Sequence, residues 1–478
     1  MMDSQEALDE VLAAARLPKQ HSPEAMPSEL VSEAAMEAKM RRPPEVTAKH
    51  DNPMTVETIE RRDPWWLGGK IQVCTLCVMA AIFLLLLMYV FRMAYRIGGC
   101  DFKGYLSASK SLWEGGNPYQ VETSYPYLYP LFLAFVLIPL TFIPYGLATV
   151  SWFVLCVASL VGACLSLQRI ASCESRTAMV RYLPTAGLIS MFLLFQPILC
   201  GFPQGQVNPI VLLCTALFYG SYARNRPLRA GAWLGAAIAI KVVPAVLVVF
   251  LIVRRQYRIL LWTLLFTVLF CTLPVIIVGK GLPAYYQSYL NAVVWPSMAH
   301  TMANSRTHYS FAGSLACILP TVPGIWLKII AGLIVTAGLL AVELAAVGFR
   351  RPSRDIWCFC GYLVGCLALS PVVELHHFVL AAPAVFLLTV KTIVDHSWTT
   401  RAVGWWMGAF VACFVVAVEW DETKLAYFAS LIILLVLLFL ANRHQQVTLG
   451  TRKETQVGEA VASEHGPFPS LSAASLNR

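Results

Sequence analysis

The sequence has little charge. Only 13% of its 478 residues are Asp, Glu, Lys or Arg, and 58% are hydrophobic, whereas an ordinary soluble domain is about 25% charged and about 45–50% apolar. This shortage excludes a soluble enzyme, a disordered chain and a nucleic-acid-binding protein. The apolar residues fall in runs of about 18–25, the length that a helix needs to cross a hydrocarbon layer of about 30 Å. The sequence therefore predicts a polytopic membrane protein.

Acidic residues are especially scarce between residues 71 and 440, where 11 Asp and Glu stand against 23 Lys and Arg. The remaining acids belong to the two ends of the chain. Most of the basic excess is expected in cytoplasmic loops, which orient a membrane protein. A second interpretation, attraction for anionic lipid or a lipid phosphate, stays open for a few of these residues.

The pattern of the 14 cysteines does not indicate a disulfide framework or a metal site. Cys74 and Cys77 make a CxxC, but it lies inside the first predicted helix, and no second CxxC or nearby His pair completes a zinc site. Most of the others lie in apolar runs, where cysteine behaves as a small hydrophobic residue. We expect no bound metal.

The chain divides into three parts. Residues 1–69 read as a cytoplasmic, largely disordered tail, residues 70–442 as an all-α transmembrane domain, and residues 443–478 as a second cytoplasmic, disordered tail. No cleavable signal peptide is expected, because the first apolar run begins near Ile71. About twelve transmembrane helices are predicted, at 71–95, 127–143, 145–168, 183–200, 207–223, 230–253, 259–279, 324–349, 356–373, 376–394, 402–419 and 425–441.

The basic residues predict the orientation. Arg61, Arg62 and Lys70 precede the first helix, which places the N-terminus in the cytoplasm. Twelve crossings then place both termini inside and the long loops 97–126 and 280–323 outside. Two topologies remain open between residues 127 and 253, because 127–143 and 230–253 either cross the membrane or dip into it and return. Both topologies place Asp101 outside.

Asp101 is an acid just past the end of the first helix, among aromatic residues. A carboxyl group that is partly desolvated there has a raised pKa and serves as a general base. The alternative is a solvated aspartate that caps the following helix.

Three motifs follow one another along the chain. The first runs from Asp101-x3-Tyr105-x2-Ala108-x3-Leu112-x2-Gly115 through Asn117-Pro118-Tyr119 to Tyr125-Pro126-Tyr127-Leu128-Tyr129-Pro130. The second is Gln204-Gly205-Gln206-Val207-Asn208-Pro209, followed by Lys241-Val242-Val243-Pro244. The third is Leu369-Ser370-Pro371, followed by Glu374-Leu375-His376-His377. In this order and spacing, over roughly residues 70–440, they resemble glycosyltransferase family 87, whose members are GT-C-type membrane enzymes that use polyprenyl-phosphate sugars.

The resemblance implies an inverting hexosyltransferase, with mannose as the favoured sugar, that acts at the outer face of the cell membrane. Its partners are a lipid-linked sugar donor, a glycolipid or surface-glycan acceptor and membrane lipids, with no nucleic acid and no cofactor besides the donor substrate. Asp101, in the first outer loop, is the implied catalytic base. An acceptor hydroxyl loses its proton as it attacks the anomeric carbon, and a carboxylate within reach lowers that barrier.

Other polar residues of these motifs and loops are candidates for substrate binding. The phosphate of the donor needs cations or hydrogen-bond donors as it leaves, whereas sugar hydroxyls pair with neutral amides, phenols and carboxylates. The candidates for the donor phosphate are Lys241, Arg306, His376 and His377. The candidates for the sugar or the acceptor are Tyr105, Tyr119, Gln204, Gln206, Asn208 and Glu374. Glu-x-His-His also resembles a metal site, but it lacks a clear third ligand group.

Each candidate has a structural alternative. Lys241 is a functional hypothesis because an ammonium group in an apolar helix is costly, but it also fits a lysine that extends its amino group toward the membrane surface. Gln204, Gln206 and Asn208 are equally suited to capping helices near Pro203 and Pro209. Glu343 either pairs with another helix or faces a cavity.

Two other functions compete with sugar transfer. A lipid or solute transporter, such as a flippase, agrees with twelve helices, but transporters usually carry several intramembrane charges along a pathway, and here only Lys241 and Glu343 qualify. The third interpretation is an assembly subunit that binds the donor without turnover.

Overall fold

A computed structural model describes residues 69–97, 99–121, 125–174, 183–299, 310–347, 351–370 and 373–394. The described residues form helices and no β-strand, which confirms the all-α class. The two predicted tails, the last two predicted transmembrane helices and Arg306 lie outside the described residues.

The helices are numbered here in chain order. They are α1 Gly69–Ile97, α2 Cys100–Trp113, α3 Leu131–Leu137, α4 Tyr145–Glu174, α5 Leu183–Leu193, α6 Phe195–Gln204, α7 Asn208–Ala223, α8 Pro227–Ile240, α9 Val246–Val253, α10 Tyr257–Thr272, α11 Val275–Val278, α12 Leu282–Tyr289, α13 Trp295–Ala299, α14 Phe311–Ile318, α15 Gly324–Ala345, α16 Arg351–Leu369 and α17 Ala382–Val394. Short 3₁₀ segments lie at Pro118–Gln120, Ile138–Phe142, Val243–Ala245, Gly279–Gly281 and Leu375–Ala381, and a π-helical segment spans Leu290–Val294.

Three helical stretches of the described chain are long and apolar enough to cross a membrane, namely Tyr145–Ile170, Tyr257–Met298 and Gly324–Ala345. A fourth span results if α5 and α6, which meet at a bend of 66°, are counted as one. The prediction of about twelve transmembrane helices is therefore not confirmed and stays a prediction.

The two segments whose crossing was left open are both short or broken. The first forms α3 and the adjoining 3₁₀ turn, Leu131–Phe142, so it rises only about 18 Å at 1.5 Å per residue. The second breaks at Lys241, between α8 and α9. Pro244 explains the break, because proline has no N–H and its ring clashes with the carbonyl four residues earlier, here that of Ile240. Neither segment is the single long helix that a simple crossing requires.

The start of α2 packs tightly against α4 and the loop after α6. Phe102 stacks on Trp152, with ring centroids 5.2 Å apart, and Trp152 Nε1 donates a hydrogen bond of 2.7 Å to the Gly205 carbonyl. Gly205 has φ +75°, and a Cβ added there would lie 2.6 Å from Phe102 Cβ. Only glycine combines that left-handed backbone with so close an approach. This contact fixes Asp101 relative to Gln206.

A buried network of ion pairs joins α9, α15 and α16. The Arg254 guanidinium, at the end of α9, lies 2.8 Å from Glu343 Oε2 on α15 and 2.7 Å from Asp355 Oδ1 on α16. The Tyr222 hydroxyl donates to Asp355 Oδ2 at 2.7 Å. Glu343 therefore pairs with another helix, which was one of the two interpretations of this acid.

We expect Glu343→Gln to destabilise the fold, because it leaves Arg254 with half of its compensating charge. Removing one partner of a buried pair costs about 3–5 kcal/mol, and the remaining Asp355 contact places this variant toward the low end of that range. Thermal unfolding of the purified protein in detergent measures the loss. The control is Glu114→Gln, which removes an exposed ion pair with Lys110 at 3.8 Å and should leave the unfolding temperature almost unchanged. Equal unfolding temperatures for the two variants would contradict the prediction.

Candidate active site

A cavity of about 790 Å³ brings the three sequence motifs together. This volume lies in the range of about 300–1,000 Å³ that is typical of small-molecule sites. Seven of the predicted site residues line it, and they come from four separate stretches of the chain: Asp101, Tyr105, Gln206, Lys241, Glu374, His376 and His377. Polar groups are few among the lining residues, which are mostly apolar.

Asp101 lies in the first turn of α2 and is half-buried. The Gln206 amide Nε2 donates a hydrogen bond to its Oδ2. The N-cap of α2 is Gly99, and no side chain caps this helix, so the carboxylate faces the cavity rather than serving as a cap. Burial raises the pKa of Asp101 to about 6, and the Gln206 hydrogen bond opposes that rise.

A chain of hydrogen bonds fixes which way the Gln206 amide points. The Tyr105 hydroxyl donates to the Tyr129 hydroxyl at 3.0 Å, and Tyr129 donates to Gln206 Oε1 at 3.0 Å. Because an ionised carboxylate only accepts hydrogen bonds, the amide nitrogen must be the atom that faces Asp101, and the amide oxygen then accepts from Tyr129. The two tyrosines therefore hold a hydrogen-bond donor on one carboxylate oxygen.

Lys241 also lies beside Tyr129. The break after α8 gives Lys241 an extended backbone, and its buried Nζ donates a hydrogen bond of 2.8 Å to Asn208 Oδ1. This amino group also lies 5.3 Å from the centroid of the Tyr129 ring. Asn208 Nδ2 in turn donates to the His376 carbonyl at 3.1 Å. Asn208 thus joins the second and third motifs.

The 3₁₀ segment Leu375–Ala381 places one acid and two histidines on the cavity. The Glu374 backbone N–H donates to His377 Nδ1 at 2.7 Å, so His377 Nδ1 carries no proton and its Nε2 is the atom left to carry one. His376 Nδ1 lies 3.4 Å from Glu374 Oε2. Burial, with a smaller contribution from the negative charge of Asp101, raises the pKa of Glu374 to about 7. Glu374 can therefore donate or accept a proton near neutral pH.

The comparisons with known proteins agree with the motifs. The family model described as "Glycosyltransferase family 87" matches residues 127–371, which is half of the chain. The chain belongs to glycosyltransferase family 87. This confirms the predicted family and makes the protein an enzyme of the glycosyltransferase class. No solved structure matches the chain.

Two similar proteins of known activity are mycobacterial. One, from Mycobacterium tuberculosis, is 26% identical over 71% of this chain and 78% of its own length. The other, from Mycolicibacterium smegmatis, is 25% identical over 62% of this chain and 68% of its own length. Both are named polyprenol-phosphate-mannose-dependent alpha-(1-2)-phosphatidylinositol pentamannoside mannosyltransferase.

Three predicted site residues of this family 87 chain do not line the cavity. Tyr119 donates from its hydroxyl to the Tyr129 carbonyl at 3.0 Å, and Asn208 orients Lys241. Gln204 ends α6. Tyr119 and Asn208 therefore support residues that line the cavity, Tyr129 and Lys241.

Tyr129 and Lys328 are among the lining residues that received no role from the sequence. Tyr129 contacts both Gln206 and Lys241, although the sequence only placed it in the first motif and assigned it no role. Lys328 lies five residues into α15 and lines the same cavity. A lysine inside an apolar run was a usable signal for it, as it was for Lys241. Within the described residues, no cluster of three or more His, Cys, Asp or Glu side chains has the arrangement of a metal site. The absence of a metal stays a prediction.

Proposed function

We propose that this enzyme transfers a hexose, with mannose the favoured sugar, from a polyprenyl-phosphate donor to a glycolipid at the outer face of the membrane. Family membership supports sugar transfer, and the names of the two mycobacterial relatives support the donor, the sugar and the glycolipid acceptor. The observation that carries the proposal is the half-buried Asp101 carboxylate, which Gln206 holds on a cavity that also contains Lys241.

The proposed reaction is a single displacement with inversion. The acceptor oxygen attacks the anomeric carbon and forms the new C–O bond, while the bond from that carbon to the phosphate oxygen breaks. The acceptor proton passes to Asp101, and the electron pair leaves with the polyprenyl phosphate. Lys241 and the Nε2–H of His377 are the groups of the cavity best suited to stabilise the charge that grows on the phosphate.

The direct test is an assay of the purified full chain in proteoliposomes. Polyprenyl-phosphate mannose, the corresponding glucose lipid and GDP-mannose are offered in parallel with a phosphatidylinositol mannoside acceptor. We expect transfer from the mannose lipid and none from the nucleotide sugar, with an anomeric configuration opposite to that of the donor. Transfer from GDP-mannose without any lipid donor, or retention of configuration, would overturn the proposal. Donor binding without turnover under any acceptor would favour the assembly-subunit alternative.

The pH dependence of kcat/KM should report the ionisation of Asp101. A general base must be ionised to accept a proton, so we expect kcat/KM to fall as the pH drops through about 6, the pKa of Asp101. The Gln206 hydrogen bond lowers this pKa, so Gln206→Leu should shift the acid limb to higher pH. Glu374→Gln tests whether the acid limb belongs to the second carboxyl group of the cavity. If the limb disappears in this variant, Glu374 and not Asp101 causes it. Glu114→Gln, in an exposed carboxylate, should leave the limb in place.

A further inference from the structure

Lys328 is a second lysine of the cavity that the proposed reaction does not use. Its half-buried side chain lies near the start of α15, within the span Gly324–Ala345. Nζ donates to the Ser297 carbonyl at 3.2 Å and to the Met298 carbonyl. Both carbonyls belong to α13, and Ser297 and Met298 line the same cavity.

The two cavity lysines differ in how their charge is compensated. Lys241 has the Asn208 amide oxygen, the face of the Tyr129 ring, and two carboxyl groups in its surroundings, those of Asp101 and Glu374. Over the part of the chain that the structure describes, Lys328 has backbone carbonyls as partners and no carboxylate within 4.0 Å. The helix dipole does not compensate it either, because the N-terminal end of a helix carries partial positive charge.

A lysine in an apolar span is costly and is a functional hypothesis by default. The Lys328 ammonium group faces a cavity that is large enough for a ligand. An anion in the cavity would supply the charge that the surrounding protein does not. The carbonyls of Ser297 and Met298 hold the amino group at the cavity wall meanwhile.

The wall around Lys328 is apolar. On the cavity side it includes Val294, Ala331 and Gly332, and on the outer side of α15 Ile325 and Trp326 are about 60% exposed, at 62% and 57%. A Cβ added to Gly332 would meet nothing within 4 Å, so there is open space beside the helix one turn further along. One cation beside an apolar cavity wall and this open space fits a phosphate group that is attached to a long hydrocarbon chain.

We propose that Lys328 binds the phosphate of the lipid donor as the donor enters the cavity, with its hydrocarbon chain lying along Ala331 and Gly332. This inference rests on the proposed function, since it assigns the donor's position in the same cavity. It makes Lys328 a binding residue for the donor, whereas Asp101 serves the acceptor.

The test measures binding without catalysis. Polyprenyl phosphate that carries no sugar is titrated into the full chain in phosphatidylcholine nanodiscs, for the wild type, Lys328→Gln, Lys328→Arg and Gly332→Leu. We expect Lys328→Gln to weaken binding at least about tenfold, Lys328→Arg to retain most of it, and Gly332→Leu to weaken it by filling the open space beside α15. Lys280→Gln, at a lysine outside the cavity wall, is the control. Thermal unfolding identifies any variant that fails to fold. If Lys328→Gln fails to fold, binding by Lys328→Arg decides whether the positive charge at this position binds the phosphate.

Two further measurements separate the possible outcomes. In the transfer assay, Lys328→Gln should raise KM for the lipid donor and leave KM for the acceptor unchanged. An unchanged donor KM in an active enzyme would overturn the role of Lys328 and leave the proposed function intact. A wild type that neither binds polyprenyl phosphate nor transfers sugar would overturn the proposed function itself. Phosphatidylglycerol that displaces polyprenyl phosphate equally well would show that Lys328 binds bulk lipid phosphate, which also overturns the donor assignment.

Discussion

Asp101→Asn is expected to reduce sugar transfer about 10²–10⁴-fold, the usual contribution of a general base. Asparagine keeps the size of the side chain, and its carbonyl oxygen still accepts the hydrogen bond that Gln206 donates to Asp101. The packing of Phe102 on Trp152 is untouched. What the variant loses is a group that takes the proton of the attacking hydroxyl, so kcat should fall while the lipid donor still binds.

The measurement is initial rate in proteoliposomes together with binding of polyprenyl phosphate. The matched control is Glu114→Gln, an acid-to-amide change in the same helix region at an exposed residue, which should leave both quantities unchanged. Asp101→Glu is a second comparison, because it keeps the carboxylate but displaces it, and it should retain more activity than the asparagine variant. Wild-type kcat in Asp101→Asn would exclude this residue as the base.

The sequence allowed the family, the helical class and most of the cavity residues to be predicted, because each depends on local pattern. The motif around Asp101, the paired glutamines and the Glu-x-His-His cluster can all be read from neighbouring residues. The contacts among them cannot, since Gln206 reaches Asp101 across 105 residues of sequence and Asn208 reaches the His376 carbonyl across 168. Several amide side chains could make these hydrogen bonds, and only the packed fold determines which amide pairs with which partner.

Helix continuity was the weaker part of the prediction, for a physical reason. Hydropathy averages over a window and does not register a single broken hydrogen bond, so residues 230–253 were predicted as one helix. Pro244 ends α8 at Ile240, and this break is what turns Lys241 toward Asn208. A proline four residues after a helical position was a signal for the break, and it lies beside the residue of greatest functional interest.

Lys241→Met is the second variant with a large expected effect. Methionine fills a similar volume but removes the cation from a cavity that holds two carboxyl groups, Asp101 and Glu374. Losing one preorganised group that stabilises transition-state charge costs about 10²–10³-fold in kcat. The same change should act on the base, because the positive charge of Lys241 lowers the pKa of Asp101. We therefore expect both a lower kcat and an acid limb displaced to higher pH.

These two effects distinguish a catalytic role from a structural one. If Lys241 only supported the fold through Asn208, then Asn208→Leu, which removes the hydrogen-bonding partner and keeps the lysine, would lower the rate as much as Lys241→Met. We expect Asn208→Leu to lose less, and Lys241→Arg to keep the acid limb near its wild-type position because the charge remains. Lys110→Met, at an exposed lysine of α2, controls for the loss of one positive charge. If Lys241→Met lowered the rate without moving the acid limb, the ammonium group would act on the phosphate alone, because an electrostatic effect on Asp101 requires the limb to shift.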